Sequence, residues 1–524
     1  MSRRPNLSAE HGYSMMAVML VMLATSMLAG AAFSAVGGDI PFARASQDRK
    51  QAYAAAEAGI EYYLYQLARD NDYWTKCTGV PEIAPGQPAP INQADPVTRL
   101  WRSVAGAEAR FSIELLPANG ALACDSAAAE QTMLDMDSGT FRIRSTGESR
   151  GITRSIVATF RRSSFLDYLY FTDYETSDPA TYTTATARAN AAARCVQRRP
   201  ARPTDGTCRE ITFPDHDKIN GPLHTNDDLL TCGAPDFGRN PQDAIEISGT
   251  ASDGWTGSGG SGCGGAPDFL GTVRWPAPLL TVPTSNDKLR EVAADGGNVY
   301  YGQTNVEFTG TSMTVTHYDR VTGALRTDTG TALPGNGVIY VLQHPSLGCS
   351  RLNGPLEQDY SDSAGCAVLT VSGSYAKSMT LGSAADILID GDLTRSGDPV
   401  LGLIAENFVR VKHDERGCPS ASTCFRRQDY LVQAAILSLA HSFIVDNYSS
   451  GARLGTLRVE GAIAQRFRGP VGQFNTTTGE TTRGYAKDYH YDNRLRYRSP
   501  PYFLDPVSAA WRIIRSNEQV PAAE

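Results

Sequence analysis

Four aspartates lie close together in the chain and have the residue type and spacing that acid–base chemistry needs: Asp386, Asp390, Asp392 and Asp398. Paired carboxylates transfer protons in the cleavage of glycosidic bonds. Carboxylates along a β-helical surface could therefore act on a polysaccharide. However, Asp390-Gly391-Asp392 is also an ordinary composition for a corner between two strands. The corner is the favoured interpretation, and polysaccharide cleavage stays an alternative.

A second set of chemically capable residues is His413-Asp414-Glu415. These residue types bind metal ions, but Arg416 follows directly, and Cys418 and Cys424 are expected to close this loop. A solvated turn is therefore favoured, and we predict neither a metal site nor a cofactor. The motifs of zinc peptidases, phosphate-binding loops, dinucleotide folds and serine hydrolases do not occur in a suitable context. We predict that the protein is not an enzyme.

Aromatic and basic side chains alternate near the C-terminus, a pattern that can bind single-stranded nucleic acid or sugars. They are Tyr485, Lys487, Tyr489, Tyr491, Arg494, Arg496, Tyr497, Arg498, Tyr502 and Phe503. Nearby aspartates cancel much of this charge and the whole chain has a net charge of -8, so we predict no nucleic-acid partner. Residues 481–524 are instead expected to cap a β-rich body, with a short helix over 508–515.

The cysteines are even in number and occur at short intervals through the body of the chain. They are Cys77, Cys124, Cys195, Cys208, Cys232, Cys263, Cys349, Cys366, Cys418 and Cys424. This distribution favours disulfides between consecutive cysteines in an oxidising compartment. No pair has the C-x-x-C spacing of structural zinc sites. Free buried thiols stay an alternative, because spacing does not determine connectivity.

The elements that must position these residues begin with an apolar segment, Tyr13 to Gly38, which carries no charged side chain. A helix of this length measures roughly 39 Å and is long enough for a bilayer core of about 30 Å. Arg3 and Arg4 precede it and favour a cytoplasmic N-terminus. The sequence therefore predicts a single-pass protein of the cytoplasmic (inner) membrane with its body outside or on the cell surface. A signal peptide cleaved at Ala29-Gly30-Ala31 is the alternative.

The segment after Pro41 is rich in alanine and poor in β-branched residues, which favours a helix. Its apolar side chains recur at helical spacing and predict one buried stripe: Ala56, Ile60, Tyr63, Leu64 and Leu67. Together, the two segments predict a long helical segment over residues 13–70, with a kink near Gly37-Gly38 and Pro41. A cleaved signal peptide would not need such a continuation.

Two short segments resemble a known family. His11-Gly12-Tyr13-Ser14-Met15-Met16-Ala17 resembles the prepilin processing pattern, and Ala54-Ala55-Ala56-Glu57-Ala58-Gly59-Ile60-Glu61-Tyr62 is similar to a signature of PilX-type minor pilins. The resemblance implies that residues 1–12 are a leader peptide. It also implies that a prepilin peptidase cuts between Gly12 and Tyr13 and that the new amine is methylated.

The sequence departs from major pilins at Ala17, where those proteins carry a glutamate. The family glutamate is thought to pair with the amine of a neighbouring subunit during assembly. Its absence implies a minor or tip component. The partners implied are the membrane, other pilin-like subunits, the assembly machinery and the prepilin peptidase.

The body is expected to be mainly β. Short runs between about Phe111 and Arg162 alternate at period two, with a hairpin near Gly147–Gly151. Residues 71–165 are therefore predicted to form a pilin-like α+β segment. In residues 166–480, short β-prone runs separated by small residues predict a β-solenoid resembling a right-handed β-helix, with a β-sandwich as the alternative. Gly373, Gly382 and Gly391 are expected at its corners. The segment 220–226, Asn-Gly-Pro-Leu-His-Thr-Asn, resembles a turn-and-strand element of β-helical surface proteins, with no known activity.

The function indicated is that of a non-enzymatic structural component of a type IV pilus or a related pilin-like system, acting as a minor or assembly subunit. A membrane-anchored adhesin or carbohydrate-binding protein with surface glycans as ligands is the first alternative. A β-helical enzyme acting on polysaccharides is the second.

Overall fold

The computed structural model describes residues 13–70, 72–77, 100–135, 140–215, 217–257, 263–350, 363–414, 427–475, 478–496, 498–507 and 511–522. Strands predominate over helices, as the sequence predicted. The chain divides into two compact units. The first contains residues up to Leu134, Phe141–Phe160 and the residues from Ile513 onward, and the second contains Asp135–Thr140 and Arg161–Arg512.

The first unit consists of the long helix Tyr13–Arg69 and a five-stranded sheet, whose first three strands pair antiparallel. The helix is continuous through residues 37–41, where the sequence predicted a kink. Short helical turns lie at Tyr73–Thr75 and Ala129–Met133. The strands of the sheet, in spatial order, are Arg102–Ser103, Ala109–Leu116, Thr140–Ser149, Ile152–Arg162 and Trp511–Gln519.

The last strand of this sheet corrects one expectation. The sequence predicted a short helix over 508–515, but Trp511–Gln519 is a strand that completes the sheet begun by the N-terminal segments. The body of the chain is therefore inserted between the strand Ile152–Arg162 and the strand Trp511–Gln519. Whether Trp511–Gln519 forms a helix or a strand depends on pairing with a segment far away in the sequence. A sheet edge that needs a partner readily overrides local helix propensity.

The helix contacts the sheet through a stripe of small and apolar residues. Ala52, Ala55, Ala56, Ile60, Tyr63 and Leu67 are buried, and Leu64 is half-buried. Two glycines permit the close approach. A Cβ on Gly147 would lie 2.0 Å from the carbonyl oxygen of Ala52, and one on Gly59 would lie 2.9 Å from the ring of Phe111. The alanine-rich and glycine-containing signature thus allows the helix backbone to contact the sheet directly.

The second unit is built mostly from short parallel strands. Its helices are Ala185–Arg194 and Asp287–Asp295, with helical turns at Phe165–Asp167, Pro179–Thr181 and Asn493–Arg496. Its strands are Tyr170–Ser177, Phe213–Pro214, Lys218–Asn220, Leu223–Thr225, Leu229–Cys232, Asp236–Phe237, Ala244–Ile247, Trp255–Gly257, Asp268–Phe269, Thr272–Arg274, Val299–Gly310, Ser312–Tyr318, Leu325–Ala332, Val338–Leu342, Val368–Tyr375, Met379–Ser383, Asp386–Arg395, Leu401–Ala405, Val409–Val411, Tyr430–Val432, Ala435–Ser438, Phe443–Val445, Arg453–Arg468, Gly472–Phe474 and Thr481–Tyr491.

One series of these strands runs the length of the unit, and we call it the long ladder. Parallel pairing places one apolar residue of each strand directly above the next, which forms a continuous column. The column consists of Ile339, Leu381, Leu403, Ile436, Ile463, Tyr170, Leu223, Ile245 and Val273. Every member except Val273 is buried. Stacked apolar columns of this kind form the core of the unit.

The spatial order of the long ladder differs from the chain order. Arg453–Arg468, near the end of the unit, pairs in parallel with Tyr170–Ser177 at its beginning. Thr481–Tyr491 likewise lies between Arg453–Arg468 and Lys218–Asn220, paired with both. The segment that the sequence assigned to a C-terminal cap therefore begins with a strand inside the sheet, where Tyr485, Tyr489 and Tyr491 are buried. Aromatic side chains are enriched in strands as well as in caps, so composition alone did not distinguish the two.

Residues 275–286, which we call the strap, return the chain from the strand Thr272–Arg274 toward the other end of the ladder. The amide of Ala277 donates to the carbonyl of Ile247 at 2.8 Å. The side chain of Asn286 donates to the carbonyls of Ser383 and Ile404, both at 3.1 Å. Proline-rich sequence suits an extended segment that runs across strands instead of pairing with them.

Candidate functional site

The N-terminal half of the long helix is an apolar surface without a partner among the described residues. The large apolar side chains of this segment are each 53–72% exposed: Met15, Met16, Val18, Met19, Leu20, Val21, Met22, Leu23, Met27 and Leu28. The hydroxyls of Thr25 and Ser26 donate to carbonyls one helical turn earlier, at 2.8 and 2.7 Å. The polar atoms are thus satisfied within the helix, as an apolar environment requires.

Within the part of the chain that the structure describes, no helix combines the length and the apolar character that crossing a membrane requires.

The residues predicted for processing and assembly lie at the start of this helix. Gly12 is outside the described residues, and the helix begins at Tyr13. Ala17 lies in the exposed apolar segment, flanked by Met16 and Val18. A carboxylate at position 17 would therefore lie between apolar side chains, and it would be costly wherever this surface is buried in an apolar environment without a partner for the charge.

Consecutive cysteines form disulfides at four places in the described residues. The pairs are Cys77–Cys124, Cys195–Cys208, Cys232–Cys263 and Cys349–Cys366. Cys232 and Cys263 lie 31 residues apart in the chain. Cys418 and Cys424 lie outside the described residues, so their pairing stays a prediction. Cross-links of this kind persist in compartments that are oxidising.

Asp386 belongs to a buried ion cluster and is not available at the surface. Arg410 donates to Asp386 at 3.0 Å and to both carboxylate oxygens of Asp446 at 2.9 and 3.0 Å. All three side chains are buried. A guanidinium between two carboxylates satisfies its fixed donor geometry, so this cluster cross-links neighbouring strands.

The other three aspartates have separate environments. Asp390 is half-buried, and burial raises its pKa although a hydrogen bond with Ser372 opposes the shift. Asp392 accepts hydrogen bonds from the Leu431 amide at 2.9 Å and from Arg427 at 2.5 Å. Asp398 is exposed beside Arg494, whose hydrogen bond lowers the pKa of Asp398. Three of the four predicted acids are therefore engaged with arginines. For Asp398 this pairing favours the ionised form over proton donation.

The segment His413-Asp414-Glu415, whose residue types could bind a metal ion, begins at a buried residue. His413 is buried, and its Nδ1 lies 3.2 Å from the carbonyl oxygen of Asp446. Glu415 lies outside the described residues. Across the described part of the chain, no group of three or more His, Cys, Asp or Glu side chains has a metal-binding arrangement.

The segment 220–226 has a structural role that its sequence did not reveal. The side-chain amide of Asn226 donates to the Leu280 carbonyl at 2.7 Å, and its oxygen accepts from the Leu280 amide at 2.9 Å. His224 lies between Asn226, at 3.1 Å, and Glu246, at 3.2 Å. Burial acts to raise the pKa of Glu246, but hydrogen bonds from His224 and Tyr168 lower it to about 2. The segment therefore attaches the strap to the long ladder, a contact between distant residues that local sequence does not indicate.

No protein-family model matches the chain, and no curated protein matches it in sequence. Among solved structures, the chain is similar to the crystal structure of the competence-associated pilin ComZ from Thermus thermophilus. The TM-score is 0.28 at 14% identity, covering 90% of this chain and 97% of that one. Similarity at this level supports no conclusion about fold or function.

Proposed function

We propose that this protein is a non-enzymatic structural component of a type IV pilus or a related pilin-like system, in which it acts as a minor or assembly subunit. The observation that carries the proposal is the division of one helix into two halves. Residues 15–28 present large apolar side chains outward, whereas the half from Ala52 to Leu67 packs on an antiparallel sheet. A helix that is anchored at one end and apolar at the other suits insertion into a bilayer or a bundle of similar helices.

The proposed location is the cytoplasmic membrane, crossed once by the N-terminal helix, with the body of the chain outside or on the cell surface. The disulfides support this location because they need an oxidising compartment. The proposed partners are other pilin-like subunits, the assembly machinery and a prepilin peptidase that cuts after Gly12. In this arrangement residues 1–12 are the leader, and Tyr13 provides the mature amine.

The body is proposed to be a β-solenoid of the right-handed β-helix type. The support is the long ladder, in which parallel strands stack one core residue above the next from Ile339 to Val273. Such a stack needs only nearest-neighbour contacts between its strands. In this proposal the body is displayed outside the membrane.

A minor-subunit role predicts that the protein does not polymerise alone. Ala17 offers no carboxylate to the amine of a neighbouring subunit, so the docking contact of a major pilin is missing. Immunogold labelling of cells should find the protein sparsely, at filament tips or in the envelope. The matched control is labelling of the major pilin of the same cells, which should be uniform. Uniform labelling with this protein, or filaments formed by it alone, would contradict the minor-subunit role.

A further inference from the structure

The two ends of the second unit differ. At one end, the strand Val299–Gly310 pairs antiparallel with Ser312–Tyr318, which pairs with Leu325–Ala332. At the other end lie Asp268–Phe269 and Thr272–Arg274, each paired with an inner strand of the unit. Within the described residues, no strand pairs with their outer side. We call residues 268–274 the terminal edge.

Within each short strand of the terminal edge the backbone alternates in direction, and between the strands the amide of Gly271 also donates inward, to the Phe237 carbonyl at 3.2 Å. The amides of Asp268 and Leu270 donate inward, to the carbonyls of Pro235 and Phe237, both at 2.9 Å. The amide of Thr272 donates inward to Asp243 at 2.8 Å. Successive residues of a strand direct their amide and carbonyl groups to opposite sides. Phe269 and Val273 therefore direct their backbone groups outward.

The same two residues are where the apolar core ends. The ring of Phe269 lies over that of Phe237, with centroids 5.7 Å apart. Val273 is the last residue of the core column and is 38% exposed, and Leu270 beside it is 44% exposed. An unpaired strand edge with exposed apolar residues is a surface that association would bury.

We propose that the terminal edge joins two copies of this protein as a symmetric dimer, by antiparallel pairing about a two-fold axis at Gly271. In this register Phe269 of one copy faces Val273 of the second copy. The backbone groups of Phe269 and Val273 both point outward, so the two facing residues can exchange two hydrogen bonds. The two-fold axis generates a second, identical pair. Asp268 then faces Arg274 of the second copy, again twice.

The partner that pairs with the terminal edge is a second copy of this chain, because the hydrogen-bonding groups and the opposite charges that the pairing needs both lie within these seven residues. The hydrogen-bonding residues and the opposite charges are each symmetric about Gly271. Arg274 is exposed and is oriented by Glu246 at 3.2 Å. Gly271 itself allows the turn between the two strands, since a Cβ there would lie 2.6 Å from the Asp243 carbonyl oxygen. A two-fold axis through this turn exchanges the two strands and closes the assembly at two copies.

Charge reversal tests the dimer in the full-length protein, solubilised in detergent. Asp268→Arg places two like-charged pairs in the interface, and so does Arg274→Asp. We expect each variant alone to dimerise about tenfold more weakly than the unaltered protein. A mixture of the two variants restores opposite charges at every position. Differentially tagged Asp268→Arg and Arg274→Asp should therefore co-purify as a heterodimer.

Asp328→Arg, on the strand Leu325–Ala332 at the other end, is the matched control and should leave dimerisation unchanged. Unaltered melting of each variant shows that the fold is retained. The proposal would be overturned if the unaltered protein is a monomer. It would also be overturned if neither Asp268→Arg nor Arg274→Asp weakens dimerisation, because the copies would then associate through the apolar helix. Two weakened variants that fail to recombine would overturn the register. Capture of a different protein's strand by the monomer would show another occupant.

Discussion

Replacing Gly147 by alanine is expected to destabilise the first unit by about 3 kcal/mol or more, a large part of the stability of a typical domain. The added Cβ would lie 2.0 Å from the Ala52 carbonyl oxygen and 2.4 Å from the Ala56 amide nitrogen. Both atoms belong to the helix backbone and cannot move aside as a flexible side chain would. The helix must therefore separate from the strand Thr140–Ser149, which exposes Ala52, Ala56 and Ile60.

Gly30→Ala is the matched control, because no atom lies within 4 Å of a Cβ at that exposed helical position. Alanine is the better helix former there, so this change should be neutral or slightly stabilising. Limited proteolysis between residues 44 and 69 measures the difference directly. Rapid cleavage in the Gly147 variant alone is the expected result. Equal resistance in both variants would show that the helix does not contact the sheet at Gly147.

Arg410→Met is expected to cost the second unit roughly 3–5 kcal/mol. Arg410 is the cation between Asp386 and Asp446, and its removal leaves two like charges in the interior. Burial raises the pKa of Asp446 to about 6 even with Arg410 present. Without the guanidinium, the carboxylates must take up protons or draw in water, and either process opposes folding.

The measurement is hydrogen exchange in the strands Val409–Val411 and Phe443–Val445, which lie beside one another in parallel register. Both should lose protection in Arg410→Met. Arg458→Met is the matched control, because its pairs with Glu460 and Asp488 are exposed and should contribute less than about 1 kcal/mol. Protection retained in Arg410→Met would mean that the buried cluster does not stabilise these strands.

The features that the sequence predicted are those set by neighbouring residues. The stripe from Ala56 to Leu67 follows from helical spacing, and the short runs such as 338–342 and 401–405 are strands because their residues are apolar and β-prone. The cysteine pairs Cys195–Cys208 and Cys349–Cys366 join positions that are also close along the chain. Local pattern suffices for such features.

The features that the sequence did not predict depend on contacts between distant segments. Nothing near Arg453 indicates that its strand will pair with Tyr170–Ser177, which lies at the beginning of the unit. Gly373, Gly382 and Gly391, which the sequence assigned to corners, lie within the strands Val368–Tyr375, Met379–Ser383 and Asp386–Arg395. A Cβ on Gly382 would lie 2.6 Å from the ring of Tyr340 on the adjacent strand, so the residue is needed for cross-strand packing. Spacing alone does not separate this requirement from that of a turn.

The most direct test of the proposed pilin-like role is the N-terminal residue of the mature protein, recovered from cells with an active prepilin peptidase. The account predicts a chain that begins at Tyr13 with a methylated amine and stays in the membrane fraction through its apolar helix. Gly12→Leu should block this cleavage, whereas Gly30→Ala should leave it unchanged. A chain that begins at Met1, or one cut after Ala31 and released from the membrane, would contradict the account.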